Sequence, residues 1–311
     1  MTESIVNLST VNFKTVWGNK QANLSRILSY SKEAADAGAD MIVFPELALT
    51  GYDDEPHKEK EQKMQTLLAE PVPGPSSRAV AALSAQTGAY ILFGMPERDA
   101  ADPLTIYNTA VICCPDGRLL SYRKAHIPFG EVSWASAGER ALLLETCFGR
   151  IGIGICYDTY KFPEMVRYTK AMGGQLFINV TALPFEDILP CVNRDDLETL
   201  VLENSVYIAN ANLVGLDLVK HFMGGSCIMG PTGIPGRMHY YAGYPFGAAA
   251  GQHPGICSAT IDLSIAAHNE SCTLYRTNPL TNAPDWRPEI YRAMCRDVLM
   301  DGEWQRKVCE K

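Results

Sequence analysis

No stretch of this chain stays apolar for the roughly 20 residues that a membrane-crossing helix needs. Its start, Met1-Thr-Glu-Ser-Ile-Val-Asn, lacks the basic region and apolar core of a secretory leader. The expectation is a soluble protein kept in the cytoplasm. Basic clusters are missing too: 27 Lys and Arg stand against 35 Asp and Glu, a formal charge of -8. Without a basic stripe there is little to neutralise a phosphate backbone, so nucleic acid is not an expected partner. Ten cysteines are present, but none forms a Cys-x-x-Cys pair and none has histidine at zinc-ligand spacing. They read as reduced thiols rather than a disulfide framework, and no metal site is expected. No Pro- or Ser-rich linker, composition break or internal repeat divides the sequence. With 311 residues, 47% of them hydrophobic, one large domain over 1–311 is expected, with 270–311 as a C-terminal extension.

What is present alternates between strand and helix patterns. Ile5 to Val11 reads as a strand and Gln21 to Ala37 as an amphipathic helix stopped by Gly38. Met41 to Phe44 is a short apolar run of the kind buried on both faces. Asp53 to Lys63 is dense in charge and reads as a solvated loop or helix face. Ser76 to Gln86 looks helical and Tyr90 to Phe93 extended. Asn108 to Cys113 and Leu119 to Tyr122 form a hairpin around Pro115-Asp116-Gly117. Further on, helices are expected near Glu164 to Ala171 and Asp195 to Asn204. Strands are expected at Leu176 to Val180, Val206 to Ala211 and Ser226 to Met229, the last ending in the turn Gly230-Pro231-Thr232-Gly233. The hairpins predict a mixed sheet in an α/β fold.

One stretch carries chemistry. In Arg150-Ile-Gly-Ile-Gly-Ile-Cys156-Tyr157-Asp158, Ile151, Ile153 and Ile155 alternate with glycines that leave room for a neighbouring backbone. The strand runs into Cys156, and Phe162-Pro163-Glu164 opens a helix whose N-terminus would favour a thiolate. Taken alone, Cys156 also fits a small buried hydrophobe. A thiol nucleophile needs a base and an oxyanion site. Glu46 ends a buried strand, where desolvation raises a carboxyl toward working pH. Lys124 follows the hairpin and offers a fixed positive charge. Each alone also fits a solvated surface residue.

Together these segments resemble the nitrilase superfamily of carbon–nitrogen hydrolases, over almost the whole chain. Phe44-Pro-Glu46-Leu-Ala-Leu-Thr-Gly-Tyr52 is similar to that family's glutamate motif. Tyr122-Arg-Lys124-Ala-His126 matches its lysine motif, and Gly154-Ile-Cys156-Tyr-Asp158 with Phe162-Pro-Glu164 its cysteine motif. Asn179-Val-Thr181, Glu203 to Asn212, Gly225-Ser226, Gly230-Pro231-Thr-Gly233 and Asp285 to Tyr291 extend the match. The resemblance implies a four-layer α-β-β-α sandwich, at least a homodimer packed through helices beside the cysteine (Glu164 to Met172 and Asp195 to Asn204), and no cofactor.

It also implies roles. Cys156 becomes the nucleophile, Glu46 the general base and acid, and Lys124 the cation at the tetrahedral intermediate. Glu131 holds Lys124 and the substrate amide in register. The backbone N–H of Tyr157 is a second oxyanion donor, and Tyr52, His126 and Thr181 belong to the pocket or its support. His126 also fits a structural histidine. One more residue separates Cys156 from Pro163 than is usual in the family, which alters the pocket wall expected from Thr159, Tyr160 and Lys161; Lys161 there either grips a substrate carboxylate or is solvated. The reading is a thiol hydrolase of a small linear amide or N-carbamoyl compound. The alternatives are a nitrilase, which usually carries Cys-Trp-Glu rather than Cys156-Tyr157-Asp158, and a Cys-His-Asp hydrolase using His126, which would want glycine at Asp158. A non-catalytic interaction module, which would have lost one of the three motif residues, is the other. Specificity is expected in the loops Tyr52 to Lys63, Leu183 to Arg194 and Val214 to Gly224.

Overall fold

Short apolar runs form the centre of the fold. The computed structural model describes residues 4–185, 195–267 and 276–302, and the chain divides into two units, Met1–Asn269 and Glu270–Lys311. In the first unit, one sheet is built from β1 (Ile5–Asn12), β2 (Met41–Val43), β3 (Tyr90–Arg98), β4 (Ile106–Cys113) and β5 (Leu119–Arg123). A second is built from β6 (Leu142–Thr146), β7 (Gly149–Ile155), β8 (Leu176–Thr181) and β9 (Tyr207–Asn212). A separate hairpin follows, β10 (Val214–Leu216) with β11 (His221–Met223). Then β12 (Cys227–Pro231) and β13 (Met238–Gly243) complete the second sheet, and β14 (Gly255–Asp262) joins the outer edge of the first, antiparallel to β1. Each sheet therefore has six strands.

Each is also mixed in the same way. A parallel trio, β1-β2-β3 in one and β7-β8-β9 in the other, is flanked by antiparallel strands. The period of two assigns the faces. Met41 and Val43 point to a core shared with Ile151, Ile153 and Ile155 of the other sheet. Ile42 points outward, to a cluster with Ile27 and Ala34 of α1 (Lys20–Asp36) and Val80 of α3 (Pro75–Thr87); the five-residue α2 (Met64–Leu68) lies between those helices in sequence. On the far side, α4 (Tyr157–Lys161), α5 (Glu164–Ala171) and α6 (Asp195–Asn204) cover the second sheet, and α7 (Leu263–Ala267) follows β14. The expected four-layer sandwich is present. In the second unit, α8 (Pro288–Met300) starts on a proline, and Trp286 stacks on Tyr291 at 6.0 Å. Among the described residues no helix is long and apolar enough to cross a membrane.

Several expectations need correction. Asp53 to Lys63 is not simply solvated, because Asp53 and Lys63 at its ends are each 1% exposed. Gly152 and Gly154 do not admit a neighbouring backbone. A Cβ on Gly152 would collide with Thr169 of α5, and one on Gly154 would lie 2.8 Å from Thr159 of α4 and from Phe177 of β8, so the glycines let neighbouring side chains sit close. The helix after Cys156 starts at once, at Tyr157; Pro163 caps the next helix instead. β6, β13 and β14 escaped the sequence reading because their alternation is weak and partly exposed. Residues 186–194 of the expected specificity loop Leu183 to Arg194 lie outside the described residues.

Candidate active site

The carboxyl ends of the parallel strands meet where the two sheets are stitched together. The N–H of Phe13, after β1, donates to the Asn212 carbonyl, and the N–H of Glu46 donates to the Thr181 carbonyl, both at 3.3 Å. Crevices at strand carboxyl ends are the usual place for a site in such sheets. Here they bring together Glu46 after β2, Cys156 after β7, Thr181 ending β8 and Lys124 after β5.

Lys124 is the hub. Its Nζ donates to Glu46 Oε1 and to Glu131 Oε1, each at 2.7 Å, and Glu46 and Lys124 are fully buried. The side chain of Asn108, on β4, braces the same pair: its Nδ2 donates to Glu46 Oε1 at 2.7 Å and to Glu131 Oε2 at 3.1 Å. Tyr52 Oη donates to Glu131 Oε1 at 2.7 Å. Burial, then the negative charges of Glu131 and Glu46, hold that phenol protonated. Among the described residues, the second oxygen of Glu46 takes only the N–H of Ala182, at 2.9 Å.

Two carboxylates share one ammonium, and the electrostatics follow from that imbalance. Burial pushes the Glu46 carboxyl up to about 7; Lys124 pulls it down and Glu131 pushes it further up. Burial alone would discharge Lys124, but Glu131 and Glu46 outweigh it and hold the lysine charged.

Cys156 sits at a strained corner. Its φ of 50° and ψ of -100° lie outside the regions an L residue prefers, so the strand turns sharply into α4 and presents the side chain at the crevice. The corner is pinned by the Cys156 N–H, which donates to the Val180 carbonyl at 3.0 Å and Asn179 Oδ1 at 3.2 Å. Asn179 in turn accepts from Thr159 Oγ1 at 2.7 Å. Asp158, fully buried, accepts from Tyr122 Oη at 2.8 Å and from the His126 N–H at 2.9 Å. Tyr157 opens α4, where its N–H has no acceptor in its own helix. The help to a thiolate expected from a helix N-terminus is outweighed here. Burial, then the Glu46 charge, push the thiol up, against Lys124 and a hydrogen bond from Thr181. Helix α4 has five residues, too few to outweigh desolvation.

The remaining candidates separate. Thr181 is beside the thiol and accepts from Tyr160 Oη at 3.1 Å. His126 is a support: Nδ1 lies 2.8 Å from Asp158 Oδ1, and its ring stacks on Phe162 at 3.4 Å. Among the described residues it makes no hydrogen bond to Cys156. Lys161 faces Asp196 of α6 at 3.7 Å. Asn108 and Asn179 were missed, although Asn179 stood inside a matched motif. Cys156 is 9% exposed. Tyr157, next in sequence, packs its ring against Phe129 and Phe162, with ring separations of 6.3 and 5.4 Å.

This arrangement has recognisable company. A sequence model of the carbon–nitrogen hydrolases matches residues 5–265. A probable nitrilase of Schizosaccharomyces pombe is 30% identical over 278 residues, covering 88% of this chain and 92% of its own. An omega-amidase of Xenopus tropicalis is 30% identical over 265 residues, covering 80% and 86%. The solved amidase of Nesterenkonia sp. AN1 superposes with a TM-score of 0.71 at 22% identity, over 94% of this chain and 97% of that one.

Proposed function

The chain belongs to the carbon–nitrogen hydrolase family, the nitrilase superfamily, and from that premise we propose that it hydrolyses a small linear amide or N-carbamoyl compound through a thioester on Cys156. The observation that carries this reading is the buried Lys124 ammonium bonded to both Glu46 and Glu131 at 2.7 Å, its charge acting on the Cys156 thiol. An ammonium held charged by two carboxylates has little use in packing, and replacing such clusters by well-packed apolar groups is often neutral or stabilising. Its use is at an oxyanion.

The steps follow from the protonation states. As Cys156 Sγ attacks the carbonyl carbon, its proton passes to Glu46, whose carboxylate titrates at about 7 and is suited to accept and return a proton. The oxyanion develops against Lys124 and the Tyr157 N–H. Glu46 then protonates the departing amine, leaving the thioester. Water enters, gives its proton to Glu46 and attacks the thioester, releasing the acid and the thiol. Glu131 and Tyr52 keep Lys124 in place. The probable nitrilase and omega-amidase relatives support carbon–nitrogen chemistry in general; the omega-amidase favours amides, whose leaving group the buried Glu46 is able to protonate. We also propose that the active species is a homodimer.

The test is ammonia or amine release across small amides, ω-amides, N-carbamoyl amino acids and nitriles. Hydrolysis of at least one amide or carbamoyl compound is expected, and loss of about 10⁶-fold in Cys156→Ala with folding retained. Turnover of nitriles alone, or an active Cys156→Ala, removes the proposal.

A further inference from the structure

Tyr52 is gripped from outside the active site at three points, all by one hairpin. At its backbone, Asp217 in the β10–β11 turn accepts the N–H of Tyr52 at 2.7 Å and that of Asp53 at 2.9 Å on one oxygen. Its other oxygen takes the Thr15 hydroxyl at 2.8 Å. At its ring, Phe222 of β11 packs edge-on at 5.7 Å, and the Lys220 ammonium lies 5.3 Å from the centroid. The grip is returned: Asp53 Oδ2 accepts the N–H groups of Leu218, Val219 and Lys220 at 2.8, 2.6 and 2.8 Å. Two loops far apart in sequence thus hold one another by carboxylates placed on backbone amides, a fixed geometry that leaves little freedom to either side.

The local sequence permits this closeness. Gly51 has a φ of +93°, and a Cβ there would lie 2.9 Å from Asp217 Oδ1 and from Trp17. The base of the hairpin is also tied to the sheets, since the Val214 N–H donates to the Phe13 carbonyl at 3.0 Å. What hangs from Tyr52 is the catalytic cluster: its hydroxyl bonds Glu131, and Glu131 bonds Lys124, each at 2.7 Å.

We propose that the β10–β11 hairpin is a positioning device for Tyr52, and that Asp217 is the residue through which it aligns the Glu131–Lys124 pair. Asp217 touches neither substrate nor reacting atoms. It fixes the backbone from which the Tyr52 ring reaches Glu131, and a displacement of about 1 Å in such a support is enough to slow chemistry about 100-fold. The inference rests on the function proposed above.

A double-mutant cycle tests it. Asp217→Ala and Tyr52→Phe are each expected to lower kcat about 10- to 100-fold, with a smaller change in KM. If Asp217 acts through Tyr52, adding Asp217→Ala to Tyr52→Phe costs no more than about a further threefold. Asp217→Asn should restore activity to within about threefold of the parent, since an amide oxygen still accepts both N–H groups. Losses that multiply, or an Asp217→Ala enzyme within threefold of the parent, overturn the proposal. Thr15→Val is the milder arm should Asp217→Ala not fold, and its loss should likewise vanish in the Tyr52→Phe background. The same cycle is read by the rate at which iodoacetamide alkylates Cys156, followed on its peptide by mass spectrometry. Alkylation needs no turnover, so a chain that hydrolyses no amide sinks the functional reading, while additive alkylation losses sink this one.

Discussion

The two oxygens of Glu46 are unequal, and under the proposed mechanism the difference bears on the path of the proton. Oε1 accepts from both Lys124 and Asn108, whereas Oε2 has a single backbone donor among the described residues. Oε2 is therefore the oxygen with capacity for the thiol proton. Because Glu46 titrates at about 7 and must start as the carboxylate, kcat/KM should rise with pH through an acid limb near that value. Asn108 helps set it, since its hydrogen bond favours the charged form. Asn108→Leu should move the limb upward by about one pH unit, a hydrogen bond to a charged group being worth about 1.5 kcal/mol. A limb left in place would mean that another group is the base. The roles also part on an activated ester: Glu46→Gln should accumulate an acyl adduct on Cys156, visible by intact mass. Lys124→Ala, lacking oxyanion stabilisation of roughly 3 kcal/mol, should not. Glu46, Lys124 and Cys156 were legible in the sequence because each sits in a run whose neighbours are also distinctive. Asn108 and Asp217 were not, for a physical reason. One acts by a single amide from near the start of an ordinary hairpin strand, and the other by accepting backbone N–H groups, which leaves no pattern in the partner segment.

At the scale of elements, the site depends on close approach between pieces that a sequence lists far apart. The strand expected over Tyr90 to Phe93 runs on to Arg98 as β3, and Gly94 in the added part carries the turn that holds Glu46. Its N–H donates to the Pro45 carbonyl at 3.0 Å, and its carbonyl accepts from Leu49 at 3.1 Å. A Cβ on Gly94 would collide with Leu47 N and lie 2.6 Å from Glu46 Cα. Gly94→Ala should therefore push the Glu46 turn off β3, with a stability cost of about 1–3 kcal/mol and a loss of activity larger than that cost explains. Thermal unfolding and amide turnover, measured on the same sample, check it. Unchanged turnover would mean that the turn adjusts without moving the carboxylate. The strongly apolar strands, β1 to β4 and β7 to β9, were readable from alternation or from unbroken apolar runs. The edge strands were not, because β6, β13 and β14 keep one face partly exposed and carry little alternation. The corner at Cys156 was foreseen as a strand-to-helix turn. Its short extra helix was not, since Tyr157 to Lys161 has no apolar repeat beyond one turn.

At the scale of the whole molecule, what lies behind Cys156 matters as much as what lies in front. Helix α4 holds the Cys156 corner, α5 packs on α4, and α6 packs beside both. Arg167 of α5 faces Glu203 of α6 at 3.7 Å. On this layer Tyr168, Met172 and Leu202 leave about 40% of their surface in solvent, at 42, 40 and 41%. Large apolar side chains grouped on one layer mark a surface suited to association, and the segments involved are those for which the family resemblance implies a homodimer. A second copy seated there would stiffen the helices that fix the strained Cys156 backbone, so assembly and activity should fall together. Light scattering at micromolar concentration should give a dimer. Met172→Lys places a charge in that contact and should shift the protein to monomer, with kcat reduced and the isolated fold intact by circular dichroism. A fully active monomeric parent would refute the coupling. A dimer unmoved by Met172→Lys would put the interface on another face, and the stiffness of the Cys156 corner would then have to come from Asn179 and Asp158 alone.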